Sequence, residues 1–240
     1  MKKLTWYNEM GFYNNPFSIK PAVFHNELFG NASAISMVTK KIEKPGIIFI
    51  SGEFGTGKTT VLKKLVGKFR AGRFGKKKII YYNCNQGERS INYDKLLIGA
   101  GGFFRRLFGI RRKEMIIFLD EMQDMNQKDL DQVKKYYDDG FFKSVVFVSK
   151  YDDLDLGEDL EYLIGKNKFK LGNMTKPEAV KMVRERIGNL KFVSDSMIVK
   201  IFEKDKNSRS FLKNCEDVCR VAFEDESSEV LDDHVLKVLG

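Results

Sequence analysis

Gly52-Glu53-Phe54-Gly55-Thr56-Gly57-Lys58-Thr59 carries a glycine, four residues and then Gly-Lys-Thr, the spacing of a loop that grips phosphate. Glycines let the backbone turn its N–H groups inward around phosphate oxygens, and the N-terminus of a following helix adds partial positive charge. In that arrangement Lys58 reaches the β- and γ-phosphates of a nucleotide, and the Thr59 hydroxyl ligates Mg2+. Residues Gly52 to Thr60 are therefore the candidate binding loop. A second pair of groups, Asp120 and Glu121, closes the apolar run Met115-Ile116-Ile117-Phe118-Leu119. Asp120 is placed to hold the metal, directly or through water, and Glu121 to polarise an attacking water. Two carboxylates alone at a strand tip would read as solvated turn residues; on such a strand, with a phosphate loop elsewhere in the chain, they read as catalytic.

These groups can act together only if strand, loop and helix come in the right order. Gly46-Ile47-Ile48-Phe49-Ile50 precedes the loop, and Val61, Leu62, Leu65, Val66 and Phe69 follow it at helical spacing. Unbroken apolar runs suit strands buried on both faces of a parallel sheet. Acids at the C-terminal end of such a strand lie where open α/β sheets bind ligands. The pattern predicts strands at 46–51, 78–84, 115–120, 144–150 and 168–171. It predicts helices at 31–44 and 126–142, the latter with Leu130, Val133, Tyr137 and Phe141 on one face. Between the second and third strands, Gly99, Gly101 and Gly102 interrupt a helical pattern, giving one broken helix or two short ones. From about residue 175 strands cease: Thr175 with Glu178 forms a capping box, and helices follow near 176–188, 195–204, 208–224 and 229–239. The expected class is α/β, a three-layer P-loop NTPase architecture with a parallel five-stranded sheet and a small helical lid domain. The expected division is an ordered N-terminal linker at 1–30, the α/β domain at 31–173 and the lid at 174–240.

No apolar run approaches the roughly 20 residues that span a bilayer. Met1-Lys2-Lys3 is not followed by the apolar segment of a signal peptide. Cys215 and Cys219 lie one helical turn apart on an apolar face, and His25 and His234 stand away from any cysteine pair, so ligand spacing does not favour zinc. A reduced, cytoplasmic setting with no membrane partner is expected. The net charge of +9 is unevenly spread: residues 1–113 hold 22 Lys and Arg against 6 Asp and Glu, and residues 114–240 hold 20 against 27. One basic cluster is Lys68, Arg70, Arg73, Lys76, Lys77 and Lys78; another is Arg105, Arg106, Arg111, Arg112 and Lys113, mixed with Phe103, Phe104 and Phe108. Such fields attract nucleic acid or another polyanion, and aromatics among arginines are common in single-strand binders. The alternative is that the phenylalanines are core and the charges a solvated rim.

The phosphate loop, the Asp120-Glu121 strand end, the polar Ser149 at the tip of the next strand and the helical C-terminal part together resemble the AAA+ ATPases over residues 25–239. The resemblance implies ATP as the nucleotide, Mg2+ as cofactor and hydrolysis used as a switch. It implies a sensor role for Ser149 and a γ-phosphate contact for Arg209, in the helix-start word Asn207-Ser208-Arg209-Ser210-Phe211-Leu212. Leu28-Phe29-Gly30-Asn31 is similar to the family's adenine-pocket box and makes Gly30 a binding candidate, with Asn31 replacing the usual arginine. Tyr82-Asn83-Cys84 is similar to the Orc/Cdc origin-recognition branch, and Asn15-Pro16-Phe17 to ExeA-like and transposition-regulator ATPases. The family commonly assembles, so a homo-oligomer or a partner ATPase is implied. Two departures stand out. Where the arginine finger is usual, Leu160 to Lys168 holds only Lys166 and Lys168 as cations, and no winged-helix segment follows the lid before Gly240. Replication initiation, helicase loading and transposition are the processes such a switch serves; a signalling or scaffold NTPase with an acidic protein partner is the rival.

Overall fold

The computed structural model describes residues 5–19, 29–71, 78–86, 90–101 and 103–240, without the side chains of Phe104 and Arg105. Leu28, Arg73, Lys76 and Lys77 lie outside the described residues, as does the side chain of Arg105.

A single helical turn, α1 (Trp6–Glu9), opens the described chain, and α2 (Ala32–Ile42) leads into β1 (Gly46–Ser51). The candidate loop then gives way to α3 (Lys58–Ala71), followed by β2 (Ile79–Asn83). Two short helices, α4 (Tyr93–Gly99) and α5 (Phe103–Leu107), precede β3 (Met115–Asp120). Of the two sequence alternatives for this stretch, the glycines produce two helices. After β3 come α6 (Gln127–Asp138), β4 (Phe142–Ser149), α7 (Glu158–Ile164) and β5 (Lys168–Lys170). The helix predicted over 126–142 stops early. Gly140 adopts φ 74°, a left-handed turn that an L side chain resists, and Phe142 already opens β4.

All five strands run parallel in the order β2-β3-β4-β1-β5. Every residue of β3 is buried, and β4 and β1 are nearly so, which is why these strands read as continuous apolar runs instead of alternating ones. Ile47, Phe49, Ile117, Leu119, Val145 and Phe147 pack with Leu130 and Val133 of α6 and with Leu160 of α7 to form the core of this α/β unit, residues 31–172.

The second unit comprises residues 1–30 and 173–240. Its helices are α8 (Lys176–Ile187), α9 (Asp195–Lys204), α10 (Ser208–Glu224) and α11 (Asp232–Leu239). The capping box is formed: the Thr175 N–H donates to Glu178 Oε2 at 2.8 Å. Glu178 Oε1 accepts from the Gly30 N–H at 3.0 Å. Gly30 has φ +84° and sits against Met174, so both conformation and space call for glycine there. The N-terminal segment, expected from the sequence as a linker, contributes Trp6 and Phe17 to the core of this helical unit. Arg186 holds it there, donating from Nη1 to the carbonyls of Pro16 and Ser18 at 3.0 and 3.1 Å. Arg184 is likewise engaged, with Asp195 and with the carbonyls of Leu190 and Val193. Among the described residues, no helix is long and apolar enough to cross a membrane.

Candidate functional site

The loop after β1, the acidic pair at the end of β3 and Ser149 at the end of β4 all emerge at the C-terminal edge of the sheet. The acidic strand is not the direct neighbour of β1, because β4 lies between them with Ser149 paired in register with Ser51. The catalytic candidates thus come from three consecutive strand tips, a site position that open α/β sheets favour.

Backbone conformation shapes the loop. Gly55 and Gly57 have φ 85° and 86°, a region that side-chain-bearing residues enter at a cost. Gly52 is constrained by space instead: a Cβ would stand 2.8 Å from Thr56 Oγ1 and 3.1 Å from Leu171 Cβ. Thr56 is buried and donates from Oγ1 to the Glu53 carbonyl at 2.9 Å, closing the turn. Asn31, the residue that departs from the family box, braces this turn. Its Nδ2 lies 3.4 Å from the Thr56 and Gly172 carbonyls, and its Oδ1 accepts from Gly172 N at 3.1 Å.

Lys58 is only 7% exposed and donates from Nζ to the carbonyls of Gly52 and Glu53 at 2.7 and 3.0 Å. Two of its three donors are thereby spent on the loop, leaving one to turn outward. Burial lowers the Lys58 ammonium below its ordinary range; Glu121 and then Asp120 oppose that shift, and Lys150 adds to it. The first N–H groups of α3 have no preceding turn to bond and its first turn carries no acid, so the loop mouth is a ring of donors beside a buried cation. That donor set fits a polyphosphate. Half-buried Thr59 on the first turn and Asp120 across the edge offer hard oxygen donors of the kind Mg2+ takes. Among the described residues, no group of three or more His, Cys, Asp or Glu is placed to hold a metal.

Asp120 is 1% exposed. Its Oδ2 accepts from the Tyr81 hydroxyl at 3.0 Å and its Oδ1 from the Glu121 N–H at 3.1 Å. Burial raises its carboxyl above the usual range; the Tyr81 hydrogen bond opposes this, and the adjacent Glu121 charge adds to it. Glu121 adopts φ 54°, ψ 42°. Holding a non-glycine residue there costs about 1–3 kcal/mol, strain of the kind that gathers at functional sites. Its Oε2 accepts from Gln123 Nε2 at 2.6 Å, and Gln123 Oε1 accepts from the Lys150 N–H at 3.2 Å. One amide side chain therefore links the Glu121 carboxylate to the end of β4. Ser149 is fully buried and its Oγ accepts from the Tyr151 N–H at 2.9 Å, so the hydroxyl proton remains to be given. Sequence reasoning missed Tyr81 and Gln123. Gln123 lies two residues past the acidic pair and could have been flagged by that spacing; Tyr81 is indistinguishable in sequence from an ordinary strand tyrosine.

Cys84 follows β2, with its N–H donating to the Asp120 carbonyl at 2.8 Å. Burial, then the charges of Asp120, Asp129, Asp124 and Glu121, push its thiol up to about 12. Cys215 and Cys219 are buried and raised as well, burial being the chief cause for both. At about pH 8 the folded chain is expected to resist alkylation by iodoacetamide that the urea-unfolded chain undergoes readily, because the thiolate is the nucleophile. Peptide mass mapping would read this, and rapid labelling of Cys84 in the folded chain would contradict it.

The basic segment divides by contact. Arg106 donates from Nε to the Gly99 carbonyl at 3.0 Å, and Arg111 pairs with Asp94 at 3.0 Å while lying 4.7 Å from the Phe141 ring centroid. Lys78 lies 3.7 Å from Glu114. Arg112 is half-exposed and Lys113 exposed. Phe103 and Phe108 are 75% and 69% exposed, so these two are not core. Gly30 and Arg209 belong to the helical unit, where Arg209 is exposed on the first turn of α10, whose N-cap is Asn207.

A parallel sheet in this order, with a glycine loop, a buried lysine and an acid pair at one edge, defines an α/β fold of the P-loop NTPase class. The family profile described as the AAA domain matches residues 44–170, more than half of the chain, and the chain belongs to that family. Its fold is that of several origin-recognition structures. Drosophila ORC bound to DNA aligns with TM-score 0.69 and 14% identity over 100% of this chain and 66% of that one. Aeropyrum pernix ORC1 in complex with DNA gives 0.69 and 16%, over 94% and 68%. Aeropyrum pernix ORC2 in its ADPNP-ADP complexes gives 0.67 and 16%, over 94% and 71%. The chain thus spans about two thirds of the length of the solved chains it matches. No protein of curated function matches the sequence.

Proposed function

We propose that the chain binds ATP with Mg2+ and hydrolyses it, as a nucleotide-dependent switch on nucleic acid. The observation that carries this reading is Lys58, buried beside a ring of helix-terminal N–H groups and within the electrostatic reach of Glu121 and Asp120. Lys58 and the loop amides of Gly52 to Thr60 hold the β- and γ-phosphates and neutralise charge that builds up as the terminal phosphoryl departs. Thr59 and Asp120 would hold Mg2+, which when bound would supply further neutralisation of phosphate charge. Glu121 accepts a hydrogen bond from water and aims it in line; the Ser149 hydroxyl donates to the γ-phosphate from the neighbouring strand tip. Gly30 lines the base pocket. Arg209 contacts the γ-phosphate and so couples nucleotide state to the lid, taking the working division as 31–173 and 174–240. The excess of positive charge over residues 1–113, including Lys76, Lys77, Lys78, Arg105, Arg106, Arg111 and Arg112, supports a polyanion partner, as does the fold shared with DNA-bound ORC chains. Assembly with a second copy or a partner ATPase and a cytoplasmic location belong to the same reading. An acidic protein partner is the second reading, supported by the same charge.

The test is phosphate release from ATP by the full chain with and without Mg2+, alongside a salt-dependent mobility shift with nucleic acid. Absence of ATP binding would sink the reading; turnover without any shift would favour the acidic-protein version. Gln123 enters the proposal as a positioning residue, because its amide spans Glu121 and Lys150. Gln123→Ala is expected to lower kcat about tenfold or more, the scale of a misplaced reacting group, while nucleotide affinity stays near wild type. Equal losses in affinity and rate would assign Gln123 a merely structural part.

A further inference from the structure

Beyond the basic character of residues 105–113, the segment carries a division of labour that sequence does not show. Arg106 is turned back to the Gly99 carbonyl, and Arg111 is held between Asp94 and the Phe141 ring. Asp94 is itself fixed by the Tyr136 hydroxyl at 2.6 Å. These two guanidinium groups brace the base of the segment and tie it to α4 and to residues around the end of α6. What the braces hold out to solvent is apolar: Phe103 at 75% exposure and Phe108 at 69%, with Leu107 and Ile110 beside them. Half-exposed Arg112 and exposed Lys113 follow directly. Large apolar side chains gathered in so short a stretch are unusual on a soluble surface and mark a contact site.

We propose that this braced segment is a stacking platform for single-stranded nucleic acid, with Phe103 and Phe108 taking unpaired bases and Arg112 and Lys113 the phosphates between them. The inference rests on the nucleic-acid reading above and narrows it to one class of strand. Three features favour a single strand. Phenyl faces gain from bases only where those bases are unstacked from a duplex. α5 has five residues and, after Phe108, gives way to Gly109 with φ 63°, so it offers no helix long enough to fill a major groove. Arg106 and Arg111, which could have clamped a duplex backbone, are engaged by Gly99 and Asp94. An anionic membrane surface would also accept basic and apolar side chains together, and it is an outcome of the test.

The experiment is fluorescence anisotropy of the full chain with a labelled oligothymidine strand and with a duplex of the same length, across a salt series, plus co-sedimentation with phosphatidylserine vesicles. The strand is expected to bind more tightly than the duplex. Phe103→Ala with Phe108→Ala should weaken strand binding about tenfold or more, the effect of losing one or two base–aromatic stacks, with the salt slope unchanged. Arg112→Ala with Lys113→Ala should instead reduce that slope by about 1.4, two phosphate contacts on a single strand. Phe103, Phe108 and Lys113 are exposed and Arg112 is partly exposed, and circular dichroism checks that each variant folds. Strand binding indifferent to the phenylalanine pair, or a duplex preference, overturns the platform and leaves the broader reading standing. Vesicle binding that the phenylalanine pair abolishes, with no strand bound, overturns it in favour of a membrane. Failure to bind any nucleic acid removes the broader partner reading as well, while ATP turnover is judged separately.

Discussion

Glu121→Gln is expected to lower steady-state ATP hydrolysis by about 10²- to 10⁴-fold, the span that a positioned general base contributes, while nucleotide affinity changes little. Glutamine keeps the volume and still offers an oxygen to the Gln123 amide, which reaches the native carboxylate at 2.6 Å. It does not keep the negative charge or the basicity that draws a proton from water. In the proposed mechanism the phosphates are held by Lys58 and the loop, and neither depends on Glu121 for its geometry: Lys58 is anchored by the Gly52 and Glu53 carbonyls. Binding and turnover should therefore separate cleanly, a loss confined to kcat. Phosphate release gives one quantity and titration with a fluorescent ATP analogue the other. Wild-type turnover in the glutamine variant would remove Glu121 from the mechanism, and lost affinity would mean that the carboxylate organises the loop.

The second large effect lies in the helical unit. Trp6→Ala is expected to destabilise that unit by about 3–5 kcal/mol, the usual cost of truncating a buried tryptophan. Trp6 is 4% exposed and stacks on Phe17 with centroids 5.7 Å apart and planes 21° apart. α1 packs on α10, so the cavity would open beneath the longest helix of the unit. Trp6→Phe gives a sharper contrast. The indole Nε1 is buried and, among the described residues, has no hydrogen-bond partner. Losing that unpaired donor returns about 1–3 kcal/mol of desolvation cost against the lost volume, and the phenylalanine variant should fall within about 1 kcal/mol of wild type by the same reckoning. Because the chain forms two units, a single unfolding midpoint is a poor readout. Hydrogen exchange resolved over α8 to α11 is the proper one. Unchanged protection there in Trp6→Ala would show that the N-terminal segment does not stabilise these helices.

The two variants bracket what is legible in the amino-acid sequence. The loop and the acidic pair are local words, and their proposed chemistry follows from residue type and spacing alone. The strands were legible for a related reason: burial on both faces leaves long apolar runs that no amphipathic helix would show, and predicted and observed limits agree closely for β1 and β3. The first lid helix was legible through its capping box, Thr175 with Glu178. α6 ended sooner than its apolar periodicity implied. Phe141 continues the helical period by chance of position, but the left-handed Gly140 turns the chain first.

By itself, then, the amino-acid order determined the kinds of element, the phosphate-binding loop and the acid-tipped strand, because each is written in contiguous residues. Only the tertiary structure decided that β4 stands between β1 and β3, that Gln123 reaches Lys150 across 27 positions, and that Arg186 secures Pro16 across 170. It also decided which arginines brace their own chain and which face outward. Periodicity reports the face a residue presents. It carries no information about which distant segment will cover that face, since partner choice is settled only when burial and hydrogen bonding are satisfied throughout the unit at once.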